Sequence, residues 1–209
     1  MREQKNTFGH AIALSFLMLL LGAGALSASL QKQFESDRSK VTVTPYEIYH
    51  RQKVNSASST YAFLNNLVDK AVGITNVDKA KLPTYQAFVF DRVAVGYSTS
   101  ATSGSPVAGS QLYNTTILST LRNVDFEIIQ NGRTVLEMPI VALHNQFRST
   151  GTSVADQYVQ LGSFCYLVDD VEFEWNLKFP SGISVENDTT NSHFLEVRLN
   201  GWRANKRTI

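Results

Sequence analysis

The sequence predicts a mainly β, antiparallel sandwich or barrel, preceded by one long apolar helix and holding one short amphipathic helix near its start. Three observations carry this. From Tyr85 onward, apolar residues recur at every second position in segments closed by Gly, Pro or Asn, the period of strands with a core face. Asn131-Gly132 stands between two of these segments, and both positions of a tight hairpin turn need the positive φ that Asn and Gly tolerate. Between Lys5 and Lys32 no residue is formally charged, apart from any proton on His10.

Composition limits the classes of protein. At 209 residues the chain is long enough for one domain of roughly 150 residues plus an appendage. With 43% hydrophobic and 18% charged residues it can bury a core, and wholesale disorder is excluded. Nineteen basic against eighteen acidic residues leave a net charge of +1, far from the strongly basic balance of a protein that coats nucleic acid. The single cysteine, Cys165, rules out an internal disulfide framework and a cysteine-built zinc module.

Residues 1–32 form the apolar segment, 33–40 a linker and 41–209 the β-sandwich domain. Ala11–Leu26 is almost wholly apolar, and extended to Leu30 it reaches the length of about 20 residues that crosses a hydrocarbon core of about 30 Å. A helix is expected near residues 9–30. Three readings stay open. Arg2 and Lys5, then Ile12–Leu21, then Ala23-Gly-Ala25 have the layout of a cleaved export signal. An uncleaved anchor is the favoured reading, because a bilayer helix tolerates Gly22 and Gly24. A helix buried within protein is the third. In the anchor reading Ile12, Leu14, Phe16, Leu17, Leu19, Leu20 and Leu21 contact lipid.

Gln31–Lys40 is polar and mixed in charge, as a solvated linker would be. Val41–Thr44 reads as a short strand that Pro45 stops, since proline lacks the N–H of a ladder. Tyr61, Leu64, Leu67, Val68 and Ala71 are spaced by three and four, which predicts the amphipathic helix over 58–72, with Gly73 as its C-cap. Gln86–Tyr97 reads as a strand with Phe88, Phe90, Val93 and Val95 facing the core. Thr99–Ser110, rich in Ser, Thr, Gly and Pro, reads as a loop. Val124–Met138 is the hairpin, closed by Pro139. Tyr166–Phe179 alternates as one long strand, with Leu167, Val171, Phe173, Trp175, Leu177 and Phe179 on the buried face and only Asp169 breaking it. A last strand turns Leu195, Val197 and Leu199 inward, with His193 on the same side.

Chemistry-bearing residues are scattered. His10, His50, His144 and His193 occur singly, and no His-Glu-x-x-His, Gly-x-Ser-x-Gly, phosphate loop or dinucleotide fingerprint is present. Asp170, Glu172 and Glu174 share the wet face of one strand, where charge is the default. Cys165 lies between Phe164 and Tyr166, the setting of a buried structural thiol. Asn114-Thr-Thr116 and Asn187-Asp-Thr189 fit the glycosylation pattern, which matters only in a secreted eukaryotic protein. The expectation is a non-enzyme with no catalytic residues, no cofactor and no metal site.

Three segments, Phe126–Ile140, Val171–Pro180 and Leu195–Trp202, give the body a resemblance of style to the jelly-roll capsid proteins of tailless, internal-membrane-containing icosahedral bacteriophages. It covers about residues 85–207 and rests on no diagnostic motif. The resemblance implies a jelly-roll β-sandwich in a virion, self-associated or joined to other capsid subunits, with the N-terminal helix against a lipid bilayer. The roughly 170 residues outside the apolar run fit one eight-stranded roll. Nucleic-acid contact is expected at most from the basic tail Trp202–Arg207. The competing class is an exported or membrane-tethered bacterial β-sandwich of the cell envelope that binds carbohydrate or another surface ligand. It requires aromatic residues converging on a carboxylate of shifted pKa.

Overall fold

Pairing in this molecule is nested. A computed structural model describes residues 11–12, 15–18, 31–32, 41–54, 59–144, 157–185 and 190–206. Its strands are β1 (Val41–Lys53), β2 (Thr60–Leu64), β3 (Gln86–Ala101), β4 (Asp125–Gln130), β5 (Arg133–Pro139), β6 (Val159–Val168), β7 (Phe173–Lys178) and β8 (Asn191–Lys206). The innermost pair is the hairpin β4–β5, and around it β3 pairs with β6, β2 with β7 and β1 with β8, all antiparallel. Further pairing of β3 with β8 and of β4 with β7 completes two four-stranded sheets, β1-β8-β3-β6 and β2-β7-β4-β5. The architecture is a mainly β, antiparallel sandwich, as the alternation predicts.

The core lies between the sheets. One sheet contributes Ile48, Phe88, Phe90, Val93, Val95, Leu167, Leu195, Val197 and Leu199, the other Phe63, Leu64, Phe126, Ile128, Phe173, Trp175 and Leu177. The hairpin turn forms at Asn131 and Gly132, with φ of 54° and 70°, and β5 ends at Pro139.

Bulges set which residues face inward. In β3 the core residues are Phe88 and Phe90, then Val93, Val95 and Tyr97. The change from even to odd positions falls at Asp91, where the register with both β6 and β8 shifts. Opposite it, Gly201 pairs with Phe90. A Cβ at Gly201 would drive into the Val89 carbonyl and lie 2.6 Å from Phe90 Cα, so only glycine admits this approach of two backbones.

The amphipathic helix expected over 58–72 is a strand followed by turns. Tyr61 pairs with Leu177 and Leu64 with Trp175, and Phe63 is the extra residue of a bulge between them. A bulge separates two inward positions by three residues instead of two, which imitates helical spacing. Leu67, at the next helical position, is 80% exposed. Gly73 caps nothing and occupies a turn at φ 82°.

The single strand expected over Tyr166–Phe179 is two, one in each sheet. β6 ends at Val168 and β7 starts at Phe173. The corner between them holds Asp170 at φ 58°. The Gln130 amide clamps it, with Nε2 donating to the carbonyls of Val168 and Val171 and Oε1 accepting from Val168 N. Asp169, fully buried, accepts from Tyr85 N at 2.6 Å. Val171, expected in the core, is only half-buried because it stands in this corner. Pro45 does not stop β1, which runs on to Lys53. β1 is an edge strand, and an edge accommodates a residue without an N–H.

In the apolar segment the described residues Ala11, Ile12, Ser15–Met18, Gln31 and Lys32 are helical, and the remainder lies outside the described residues. Among the described residues no helix is long and apolar enough to cross a membrane.

The Gly201 contact yields a quantitative expectation. Gly201→Ala should lower the unfolding free energy by about 1–3 kcal/mol, the range for overpacking a closed site. Gly104→Ala, where a Cβ meets nothing within 4 Å, should shift it by less than about 0.5 kcal/mol. Urea titration of the two variants checks this.

Candidate functional site

The outer face of the β1-β8-β3-β6 sheet is the candidate site. Side chains alternate across a strand, so with Leu195, Val197 and Leu199 in the core, Phe194, Glu196, Arg198 and Trp202 point outward. Outward does not mean wet: Phe194 and Glu196 are 0% and 1% exposed. This face is covered in three zones.

At the end where β1 begins and β8 closes, the face is apolar. Ala87, Val89 and Ala204 are buried there together with Leu17, and Phe16, Met18, Val43, Phe164, Tyr166 and Val168 pack around them. The Phe16 ring lies 5.3 Å from that of Phe164 and 6.3 Å from that of Tyr166. Small side chains at 87 and 204 leave the depression that Leu17 fills. Of the residues assigned to lipid, Phe16 and Leu17 therefore lie on the body's own sheet, and Ile12 is exposed. Leu14, Leu19, Leu20 and Leu21 lie outside the described residues.

Midway along the face runs a charged network. Arg51 donates from Nε to Glu196 Oε1 at 2.7 Å and from Nη1 to the Gly73 carbonyl at 2.8 Å. Its guanidinium stands over the rings of Tyr49 and Tyr113. Arg198 Nε lies 3.7 Å from Glu196 Oε2, and Arg198 Nη1 lies 3.8 Å from Glu47 Oε1. Tyr158 donates to Glu47, and Arg198 stacks over the Tyr158 ring. A buried carboxylate is tolerable only with partners of this kind. The network joins β1, β8 and the turn at Gly73. At the far end, Ser98 and Ser100 donate to Gln111 Oε1, which pins the 102–118 segment over β3.

The residues singled out for chemistry are engaged separately. His144 Nδ1 is bonded to the Val95 carbonyl at 3.1 Å and His193 Nδ1 to Tyr97 Oη at 2.6 Å. His50 is packed edge-on against Phe63, with Nε2 on Gln52 Oε1 at 3.4 Å. Burial lowers its pKa to about 4, against weaker opposing hydrogen bonds to Gln52 and the Phe63 backbone. Thr84 donates to Asp170 at 2.8 Å and Asn66 to Glu172 at 3.0 Å, while Glu174 is exposed. Burial raises the Cys165 thiol pKa, with nearby Arg133 acting weakly in the opposite sense. A protonated thiol is a poor nucleophile. In the C-terminal tail Trp202 packs against Phe164 and Arg203 stacks over Tyr46, so both are used within the body. Asn114 is exposed, and His10, Asn187 and Arg207 lie outside the described residues. Among the described residues no group of three or more His, Cys, Asp or Glu is placed to hold a metal ion.

The sheet's covered outer face escaped the sequence because Glu47, Arg51, Glu196 and Arg198 read as a solvated surface. Only the absence of a consistently polar second face in β8, where Phe194 and Trp202 flank the charges, hinted at it.

Fold and site together define a two-sheet β protein whose apolar N-terminal residues rest on one sheet. No family model matches the chain, and no curated protein matches it. Among solved structures it is similar to the crystal structure of an infectious bursal disease virus VP2 subviral particle, at 12% identity and a TM-score of 0.21, over 81% of this chain and 37% of that one. The chain thus spans little more than a third of that protein. A likeness of this size carries no functional weight.

His50 makes stability depend on pH. In the unfolded chain it takes up a proton near pH 6.5, in the native protein only near pH 4. Between those values the unfolded state binds more protons, so stability falls as pH falls. The loss from His50 alone is about 3 kcal/mol, at about 1.4 kcal/mol per pKa unit. Comparing urea midpoints at pH 7 and pH 4 for the native sequence and His50→Leu should show a flatter profile in the variant.

Proposed function

We propose that the chain is a non-enzymatic structural subunit of a virion shell: a jelly-roll β-sandwich that self-associates and brings its apolar N-terminal segment to a bilayer. The observation that carries this is the nested pairing of β1 with β8, β2 with β7, β3 with β6 and β4 with β5. That arrangement is what results when one long antiparallel hairpin rolls up into two sheets, and eight-stranded rolls of this type recur in viral shells and in lectin-type domains. The segments Phe126–Ile140, Val171–Pro180 and Leu195–Trp202, which resemble capsid proteins of internal-membrane bacteriophages, favour the shell.

The state of the reactive residues supports a non-catalytic role. His50 is neutral and enclosed, and Cys165 is held protonated. Self-association has candidate contacts in the loops. Val72, Leu112 and Val107 are 99%, 81% and 61% exposed, and Gly73 and Gly109 bring their loops side by side. Apolar surface costs roughly 25 cal/mol per Å² to leave in water, and a neighbouring subunit would cover it. The near-neutral net charge of +1 permits dense packing of identical copies.

Full-length protein extracted in mild detergent should run as large symmetric assemblies by light scattering and electron microscopy. A monodisperse monomer would sink the shell reading and favour an exported ligand-binding sandwich. Val72→Asp combined with Leu112→Asp should abolish the assemblies while leaving the unfolding midpoint of the body unchanged.

A further inference from the structure

We propose that the apolar patch on the outer sheet face is an intramolecular receptor for Phe16–Met18 of the apolar run, and that this docking holds the run between the sheet and the bilayer and keeps it from crossing. The inference rests on the bilayer contact proposed above and specifies its geometry. Phe16, Leu17 and Met18, the residues seated on the patch, fall near the middle of the run Ala11–Leu26. In a spanning helix that middle sits at the centre of the hydrocarbon.

The patch cannot follow it there. Arg133, exposed at the tip of the β4–β5 hairpin, donates to Tyr166 and stacks over its ring at the rim of the patch. Arg92 is outward-facing on β3, close to Asp91. Guanidinium groups and open sheet edges are both excluded from the hydrocarbon core. The docked and the spanning arrangements of the run are therefore mutually exclusive. The docked one buries Leu17 completely and gives Phe16 two aromatic neighbours.

A run that is apolar on every side has faces left over after one is spent on the sheet. A lipid surface fits these, because the patch is rimmed by exposed Arg133 on the β4–β5 hairpin. A cation at that rim suits a position over anionic headgroups.

The test uses the full chain with Cys165→Ser, Leu17→Cys and Ala204→Cys, treated with a short bifunctional thiol reagent in solution and on phosphatidylcholine–phosphatidylglycerol vesicles. Phe16→Cys with Phe164→Cys serves as a second pair in case the first perturbs packing. Glu3→Cys and, separately, Ser103→Cys report sidedness to a membrane-impermeant maleimide. The expected result, on a denaturing gel, is a single chain closed on itself whether treated in solution or on vesicles, with positions 3 and 103 labelled equally from outside. Loss of closure on vesicles together with protection of position 3 would mean that the run spans, and would overturn the proposal. A covalent dimer would place the run on a neighbour's sheet and overturn it also. If the protein fails to float with vesicles, the bilayer reading falls, and closure in solution still decides whether the sheet receives the run.

Discussion

Strand β8 is bonded along both edges and covered on both faces, and the rest of the molecule is arranged around that condition. It pairs with β1 from Lys206 to Phe194 and with β3 from Asn205 to Asn191. Its inner face carries Leu195, Val197 and Leu199 in the core. Its outer face is closed by the Arg51–Glu196–Arg198 network and the apolar patch around Ala204. A strand bonded along both edges has its backbone groups paired within the sheet, and a charged side chain buried on it needs a protein partner. The burial of Glu196 follows from this. A carboxylate in that position is retained only because two guanidiniums reach it, one of them fixed in turn by the Gly73 carbonyl.

Legibility from sequence tracks how strictly a strand keeps period two. The β4–β5 hairpin is readable because Asn131-Gly132 leaves one local solution and Phe126 and Ile128 alternate cleanly into the core. The β7 segment is readable for the same reason, with Phe173, Trp175 and Leu177 inward. Where a bulge intervenes, the pattern misleads in a definite way. Phe63 as an extra residue turns a strand's spacing into a helix's, and Asp91 exchanges the parity of β3. The corner at Asp169–Glu172 deceives in the opposite sense. Leu167 and Phe173 fall six positions apart and so keep apparent phase, although the chain has passed from one sheet to the other. Period alone cannot register a crossing that preserves parity. What holds the crossing, the Gln130 amide and the Asp169 carboxylate, acts across more than thirty residues of sequence.

The candidate site was less legible than the fold, for a physical reason. Glu47, Arg51, Glu196 and Arg198 are residue types that usually lie in water. Their partners are distributed over β1, β8 and the turn at Gly73, so no local window contains the network. Apolar residues around the patch are equally inconspicuous. Val43, Ala87, Val89, Phe164 and Ala204 sit on four strands, and each reads as an ordinary neighbour of core residues. The run Ala11–Leu26 itself required an apolar surface to receive it, without indicating which.

The edges of the two sheets bear on how copies of such a body can join. An open strand edge is a template for pairing with another chain unless something blunts it. β1 carries Pro45, and further along, the Arg51 amide is already bonded to the Ile74 carbonyl and His50 bridges to Thr75. β2 spans only five residues and is bulged at Phe63. β5 is bulged beside Val135, ends on Pro139 and presents Arg133 and Glu137. In β6 the single residue Asp91 of its partner stands opposite the stretch 161–164, and Gly162 turns to φ 76°. All four edges are thus interrupted, each by a different device. Strand addition from edge to edge would have to undo those interruptions, whereas loops tipped by Val72, Val107 and Leu112 are available as they stand. In a body with this distribution, contact between copies through the loops would be separable from the strand pairing that holds each chain together.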